Sequence, residues 1–418
     1  MVTDRGSKGG ARLRHNSFPG SSFWFFAALV ATLLIGIAGH PPTASANSSE
    51  HGGENARTEE VDGEKDTKPK PRGVSVEELM RKADPRGAPE LTLCSQNLNN
   101  LGDLSLTRQR LDLSMTAAGF AKKLNGLAAR MIAGRCDVIA VQELLGRNDK
   151  AAKENIDRLA QALHSKTGRF FETLLGNTND PLSRVGYLIA VDRAEVLAQV
   201  SYNRIELPKI LPKERPRYFL RGPLEVQLSV RGRDGTQSKI VTVVNFHLKS
   251  KGGKERDPAE LEWETYRMQM AEAVRRVVES RHERAFASGE TLLAVVGDRN
   301  SNFDAASNEI LSGSLTLDDF KLKGGCRLSK RGIAFCEKSK HRALRLFSVL
   351  TNDPQLKNLT GTFHFRDVYS WLDDILVPQE TLRFAWDDFS REGDYSSFVI
   401  NEPEGVSDHS LVGVAFNW

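Results

Sequence analysis

Between Leu91 and Trp418 the sequence repeatedly sets a short apolar run directly before a polar or ionisable residue, and this rhythm constrains the fold more than any other feature. Leu91–Ser95 runs into Gln96-Asn97, Val138–Gln142 into Glu143, Ile240–Phe246 into His247, and Leu292–Val296 into Gly297-Asp298-Arg299-Asn300. Val185–Val191, Leu224–Val230, Ile375–Val377 and Leu411–Phe416 are further strand candidates, and Phe120–Ile132, Asn155–Ser165 and Leu261–Glu279 have helical spacing. Short strands interleaved with helices imply a mixed α/β layer fold. A strand end is a rigid platform from which loops present reactive groups, so the residues that close these runs are the first candidates for chemistry.

The N-terminal part reads differently. Arg12, Arg14 and His15 precede the apolar run from Phe23 to Ile37, and small residues then lead to Ala44-Ser45-Ala46. A positive flank, an apolar stretch shorter than a membrane span and an A-x-A site describe a secretory signal peptide over residues 1–46, cleaved after Ala46. An uncleaved membrane anchor and a buried helix are the alternatives. Residues 47–89 are rich in Glu, Asp, Lys, Gly, Pro and Ser, with almost no aliphatic side chain before Val74. Such a segment cannot bury a core and is expected to be a flexible polar linker, with room for a turn or two of helix at Val74–Lys82. One large domain over residues 90–418 follows, in a protein that is exported to the periplasm or the medium.

Apolar residues at 39% and charged residues at 27% exclude a wholly disordered or membrane-embedded chain. Four Lys/Arg against Asp4 in residues 1–46 carry +3 of the formal +4 charge, which leaves about +1 for the mature chain. A balance this close to neutral assigns no polyanionic partner, so such a partner must be argued from local patches.

Asn97, Glu143, His247, Asp298 and Asn300 stand at strand ends, and Ser407-Asp408-His409 precedes the last strand. Taken singly, each has a bland reading as a turn residue, a first charge beyond a buried run or a core histidine. Together they supply oxygen donors for a hard cation such as Mg²⁺, with Mn²⁺ or Ca²⁺ as alternatives, and two imidazoles for proton transfer. A cation to neutralise developing charge, a base to activate water and donors to hold pentacoordinate phosphorus are the requirements of phosphate-ester hydrolysis.

At these residues the sequence resembles the endonuclease/exonuclease/phosphatase superfamily, the deoxyribonuclease I-like fold. The stretches LTLCSQNLNNLGD, CDVIAVQE, VNFHLKSKGG, VVGDRNSNFD, GTFHFRDVYSWLDDILV and GVSDHSLVGVAF carry the resemblance over roughly Leu91 to Trp418. The HLKSK run, RGPLEVQL and YRMQMAEAV are most similar to bacterial secreted nucleases. The resemblance implies an α/β (α+β) fold: a four-layer α/β/β/α sandwich of two packed mixed β-sheets flanked by helices. It implies that Asn97 and Glu143 hold the metal, that Asp298 and Asn300 contact metal or phosphate, and that Asp408 completes the acidic cluster. His409 would be the general base, oriented by Asp373, with His247 as the second histidine and Arg221 gripping a phosphate. Strand alternation lets only one of Asp373 and Asp374 face the site, and the resemblance selects Asp373. Arg299 stands where the family has an aromatic, and either adds a phosphate contact or points outward. No carboxylate partner for His247 is visible in the sequence.

Cys94, Cys136, Cys326 and Cys336 form no CxxC pair. Cys94 and Cys136 lie in apolar strand-like runs and are expected as buried core thiols. Cys326 and Cys336 bracket a short basic loop, which a disulfide would staple in an oxidising compartment. Basic residues concentrate at Arg204, Lys209, Lys213, Arg215, Arg217 and Arg221, and again at Lys249, Lys251, Lys254 and Arg256. Phosphate backbones attract such groups regardless of base sequence. Tyr202 and Tyr218 either stack on bases or pack in a hairpin.

The expected substrate is therefore DNA, with RNA as the alternative polymer, cleaved by in-line attack of a His409-activated water. A sphingomyelinase-like phospholipid phosphodiesterase and an inositol or nucleotide phosphatase would use the same residues. The lipid reading calls for an exposed aromatic hairpin, and none is obvious in the sequence. An inactive binding module would have lost Glu143, Asp298, Asp408 or His409, and all four are present. The basic insertion between Asn302 and Gly361 is read either as a flap over substrate or as a surface loop.

Overall fold

Successive side chains of a strand point to opposite faces, so a strand covered on both sides must be apolar at odd and even positions alike. The central runs of this sequence meet that condition, and their alternation assembles the layers. A computed structural model describes residues 89–418, apart from 112–113, 234–235, 288–290, 352, 354–355, 357–360, 366–367 and 386–395. The expected signal peptide, the Val74–Lys82 helix and nearly all of the linker lie outside the described residues.

In chain order the elements are β1 (Leu91–Leu101), α1 (Leu104–Arg110), α2 (Ala117–Ala133), β2 (Val138–Leu145), α3 (Asp149–Thr167), β3 (Phe171–Leu175), β4 (Ser183–Ala190), β5 (Ala194–Ser201), β6 (Leu224–Val230), β7 (Lys239–His247), α4 (Glu264–Ala287) and β8 (Thr291–Asp298). There follow α5 (Ala306–Ser312), β9 (Cys326–Leu328), β10 (Ala334–Cys336), β11 (Phe347–Ser348), β12 (Phe363–Phe365), β13 (Val368–Ser370), β14 (Asp373–Val377), α6 (Gln379–Leu382), β15 (Ser397–Ile400) and β16 (Leu411–Phe416).

Two six-stranded sheets run β15-β16-β1-β2-β4-β3 and β11-β14-β8-β7-β6-β5, and β9-β10 and β12-β13 form hairpins. Each large sheet has one parallel pair at its centre, β1 with β2 and β7 with β8, flanked by antiparallel strands. A parallel pair needs a crossover, supplied by α1 and α2 in the first sheet and by α4 in the second. Leu91 and Leu93 of β1, Val138 and Ala140 of β2, Val241 and Val243 of β7, and Leu292, Ala294 and Val296 of β8 pack between the sheets. The opposite parity faces outward. Cys94, Ile139 and Val141 meet Leu127 and Met131 of α2 and Ile156 and Leu159 of α3. Val244, Phe246, Leu293 and Val295 meet Ala271 and Val274 of α4 and Ile310 of α5. The result is the four-layer α/β/β/α sandwich expected from the sequence, with each such buried aliphatic side chain worth about 2 kcal/mol.

A polar stitch crosses the apolar interior one residue pair short of the strand ends. Gln142 Nε2 donates to Asn245 Oδ1 at 2.8 Å and to Ser95 Oγ at 3.1 Å. Asn245 Nδ2 donates to the carbonyls of Val141 at 3.1 Å and Gly186 at 2.9 Å. Because each of these polar atoms has a partner, the two sheets are locked in one mutual register at that point.

One expectation is overturned and two open readings narrow. Cys94 and Cys136 are not free thiols but a disulfide with a Cα–Cα distance of 5.9 Å, joining β1 to the residue pair that leads into β2. Parallel pairing of Leu93 with Val138 brings the two chains side by side, which a reading of separate apolar runs does not register. Cys326 and Cys336 are also bonded, as expected. The 302–361 insertion, read as a flap or a surface loop, is anchored to the outer core: Leu315 and Leu317 are buried there, and Arg342 bonds Glu272 at 2.5 Å and also Glu279, both on α4. Tyr202 is buried and donates to Glu225 at 2.7 Å, so it offers no ring for stacking. No helix among the described residues is long and apolar enough to cross a membrane.

The Cys94–Cys136 bond closes a separation of 42 residues, for which loop-closure entropy gives a stabilisation of about 4 kcal/mol. Replacing both cysteines by alanine should lower the urea-unfolding free energy by about 2 to 4 kcal/mol. A double variant as stable as the parent would show that the bond adds nothing to the parallel pair.

Candidate active site

The strand parity that fills the core also selects what emerges at its edge. Continuing the inward series gives Asn97 on β1, His247 on β7, Asp298 on β8 and Asp373 on β14. In the second sheet these residues form a lateral row, since Asp298 is the register partner of His247 on one side and of Asp373 on the other. Asp374, on the opposite parity, faces away and pairs with Arg299 at 3.0 Å.

Glu143 needs a separate device, because simple alternation would send it outward with Ile139 and Val141. Its backbone adopts a left-handed φ of 56°, and the β2–β4 register shifts between Val141 and Leu144. Such a bulge re-aims a side chain at the end of a strand. Glu143 Oε1 then lies 3.9 Å from His247 Nε2. Asn300 also has a positive φ, 51°, and curls back so that its N–H donates to Asp298 Oδ1 at 2.7 Å.

The two sheets meet at Asn97, whose Nδ2 donates to Asp298 Oδ2 at 2.9 Å. His247 Nε2 lies 3.4 Å from that same oxygen, and neither ring nitrogen of His247 has a hydrogen-bond partner. His247 thus has two carboxylates nearby, Asp298 and Glu143, where the sequence showed none. His409 Nδ1 is 2.8 Å from Asp373 Oδ2, which also accepts from Thr362 Oγ1 at 2.8 Å. A carboxylate can only accept, so the proton sits on Nδ1 and Nε2 is left toward Asp298, 3.9 Å away. Ligand atoms of Glu143, His247 and Asp298 lie within 4.8 Å of one another, as do those of Asp298, Asp373 and His409. Asp298 is common to both groups.

Electrostatics separates the two histidines. Burial, with Arg221 and His409 nearby, holds His247 well below its ordinary pKa, so it is neutral. Burial also opposes a charge on His409, but Asp373, Asp298 and Asp408 outweigh it and push that group up to about 10. Burial pushes Asp298 up to about 7, eased by His409 and reinforced by Asp373. Burial likewise raises Asp408, with Glu143 adding to the effect. For Asp298, Asp408 and His409 the shared setting is a buried cluster of carboxyls, whereas His247 is held down by burial and positive neighbours.

Asp408 belongs to neither metal-sized group, and its carbonyl accepts from His364 N at 2.8 Å. Arg221 is buried: its Nη2 donates to the Leu248 carbonyl at 2.7 Å and its Nη1 lies 3.7 Å from Asp180. Asn300 Nδ2 donates to that carbonyl too, at 3.1 Å. Arg299 neither points outward nor reaches toward the site. It is buried against Asp374, Asn308 and the Trp371 carbonyl, where it takes up the carboxylate that alternation turns away. Thr362, Lys123 and Arg130 escaped the sequence reading. Thr362 carried no signal, whereas Lys123 and Arg130 interrupt an otherwise apolar helix face and were detectable in principle.

No protein-family model and no curated protein matches the sequence. Among solved structures the chain is similar to the catalytic domain of human Nocturnin, with 11% identity and a TM-score of 0.45 over 79% of this chain and 93% of that one. It is similar to an endonuclease/exonuclease/phosphatase family protein from Bacteroides thetaiotaomicron, with 13% identity and a TM-score of 0.43 over 78% and 98%. Zebrafish (D. rerio) TDP2, solved with a single-strand DNA product, is 15% identical with a TM-score of 0.43 over 78% and 99%.

The raised Asp298 has a measurable sign. An unfolded aspartate releases its proton near pH ~4, whereas the folded one holds it to about 7. Stability from this group is therefore complete below pH ~4 and is lost as pH rises through about 7. In EDTA at pH 8, Asp298→Asn should be more stable than the parent by about 2 kcal/mol, a gap that closes toward pH 4. Thermal melts across that range test this, and a gap that is negative or independent of pH would refute the burial argument.

Proposed function

We propose that the chain is an exported, metal-dependent phosphodiesterase that hydrolyses DNA, with RNA as the alternative polymer. The observation that carries this reading is the row His247–Asp298–Asp373 closed by His409, with Glu143 and Asn97 converging on it from the facing sheet.

The residues fit a hard divalent cation. Glu143 and Asp298 offer carboxylate oxygens, and the proton held on His409 records an excess of negative charge that a dication would offset. Glu143 and Asp298 would hold it, with Asn97 fixing Asp298 through its Nδ2 while its Oδ1 accepts from Asn99 N at 2.9 Å, and with Asp408 adding negative charge close by. Bound there, Mg²⁺ would supply Lewis-acid stabilisation of the charge developing on phosphoryl oxygens. With the surrounding negative charge offset, His409 would give up its Nε2 proton, and the neutral ring then takes a proton from water at Nε2 as the new P–O bond forms, while Asp373, itself fixed by Thr362, stabilises the resulting imidazolium. Neutral His247 has unpartnered ring nitrogens, one of them able to donate to a non-bridging or leaving oxygen as the old P–O bond breaks. Arg221 backs the same end of β7 through the Leu248 carbonyl and brings positive charge near His247.

Export rests on the signal-peptide reading of residues 1–46, and two disulfides agree with an oxidising compartment. The polymer reading is supported by exposed Arg204, Lys213, Arg215, Lys251 and Arg256. A second reading has its own observation. The β12–β13 hairpin leaves Phe365 52% and Tyr369 37% exposed, and Phe363 pairs with His409, so an exposed aromatic hairpin does stand beside the site. That feature favours a phospholipid surface.

Purified residues 47–418 should nick plasmid DNA in Mg²⁺ or Mn²⁺ and stop in EDTA, and His409→Ala should lower kcat by about 10³-fold. The same preparations are offered RNA and vesicles of phosphatidylcholine or sphingomyelin. Vesicle hydrolysis with both polymers intact would replace the nuclease reading by the lipid one and leave the site assignment standing.

A further inference from the structure

The segment from Asn401 to Ser410 carries Asp408 and His409, and one face of α2 holds it by its backbone. Lys123 and Arg130 are buried, at 4% and 2% exposure, on a helix whose other inward residues are largely apolar. Lys123 Nζ donates to the Val406 carbonyl at 2.6 Å. Arg130 Nη1 donates to the His409 carbonyl at 2.7 Å, and its Nη2 to the carbonyls of Asn401 at 2.6 Å and Pro403 at 3.1 Å. Between them sits Gly126, where a Cβ would come within 2.2 Å of Val406 Cγ1 and 3.2 Å of Pro403 Cγ. Positions 123, 126 and 130 share one helix face, so two cations and one missing side chain form a single seat. Burying two cations is unfavourable unless their hydrogen bonds are well used, and here they are spent on the carbonyls of this one segment.

The opposite side of the segment is held from β1. Gln96 Nε2 donates to the His409 carbonyl at 3.3 Å, and Ser407 Oγ donates to the Asn97 carbonyl at 2.9 Å. We infer that Lys123, Gly126 and Arg130 are positioning residues that set His409 against Asp373 and Asp298, so that α2, which supplies none of the reacting groups, fixes the base. The inference rests on the proposed phosphodiester chemistry only for its kinetic consequence. Its structural content stands apart from it.

The test uses residues 47–418 with bis(p-nitrophenyl) phosphate and Mn²⁺, together with amide hydrogen exchange over residues 401–410. Arg130→Met should exchange faster there and lose about 100-fold in kcat, the scale expected for a displacement of an ångström, with KM far less affected. Millimolar guanidinium should restore part of the loss. Gly126→Ala, although a better helix former, should also lower kcat, and Gly126→Ala/Val406→Ala should recover it by removing the clashing methyl. If Arg130→Met does not fold, the glycine pair carries the test. Unchanged exchange and unchanged kcat in both single variants would overturn the clamp, as would losses confined to KM or a failure of the second substitution to rescue. A parent protein that hydrolyses no diester would sink the functional reading, and the exchange arm alone would then decide the clamp.

Discussion

Everything at the candidate site depends on a contact between two sheets that share no strand: the hydrogen bond from Asn97 to Asp298 at 2.9 Å. It forms because β1 and β8 each spend their inward positions on aliphatic packing, to Leu93 and Val296, and then keep the same direction with polar side chains, Ser95 and Asn97 on β1 and Asp298 on β8. The apolar layer sets how far apart the sheets stand. The Ser95–Gln142–Asn245 stitch sets how they are rotated and slid against each other. A slip of one residue in β8 would turn Asp298 outward and bring Gly297 or Arg299 to the edge, and one in β1 would do the same to Asn97, so core packing and site geometry are one constraint.

That linkage explains what was legible in the sequence. The strands buried on both faces announced themselves as apolar runs, and Leu224–Val230 and Leu411–Phe416 have the bounds the sequence suggested. The edge strands β3 and β5 did not, because their half-exposed faces carry mixed residues and their register is set by a neighbour rather than by their own pattern. Asn97, His247 and Asp298 were readable as polar residues at strand ends, whereas Asp373 was chosen over Asp374 by the family resemblance alone. Glu143 was found as the residue ending a run, but its approach to His247 depends on a bulge that no periodicity encodes. The Cys94–Cys136 bond and the burial of Arg299 were missed for a related reason: both depend on which strands become neighbours, information carried by tertiary pairing and not by either segment alone.

The adjacent Asp373 and Asp374 show how alternation makes two uses of one residue type. Asp373 sits on the inward parity and accepts from His409 and Thr362 through one oxygen, its other oxygen having no partner. Asp374 sits on the outward parity with Arg299 at 3.0 Å and Ser348 at 2.6 Å. The second pair is fully internal, so removing either partner alone would strand a buried charge. The first joins the strand row to His409, and one oxygen of each carboxylate, Asp373 Oδ1 and Asp374 Oδ2, has no hydrogen-bond partner. Alternation thus sends one carboxylate to the His409 side of the sheet and the other to Arg299.

The setting of the charged groups argues for this being a site at all. Several buried charges in the core have an opposite charge beside them: Arg342 has Glu272, Arg267 has Glu264 and Arg299 has Asp374. Around Asp298, burial raises the carboxyls of Asp298 and Asp408, His409 is held protonated, and His247 has two ring nitrogens without partners. At the ends of two strand rows the fold has left this group of carboxyls and imidazoles close together and buried. Such a cluster of carboxyls is costly to bury, and an offsetting cation is the chemical species that would restore the balance.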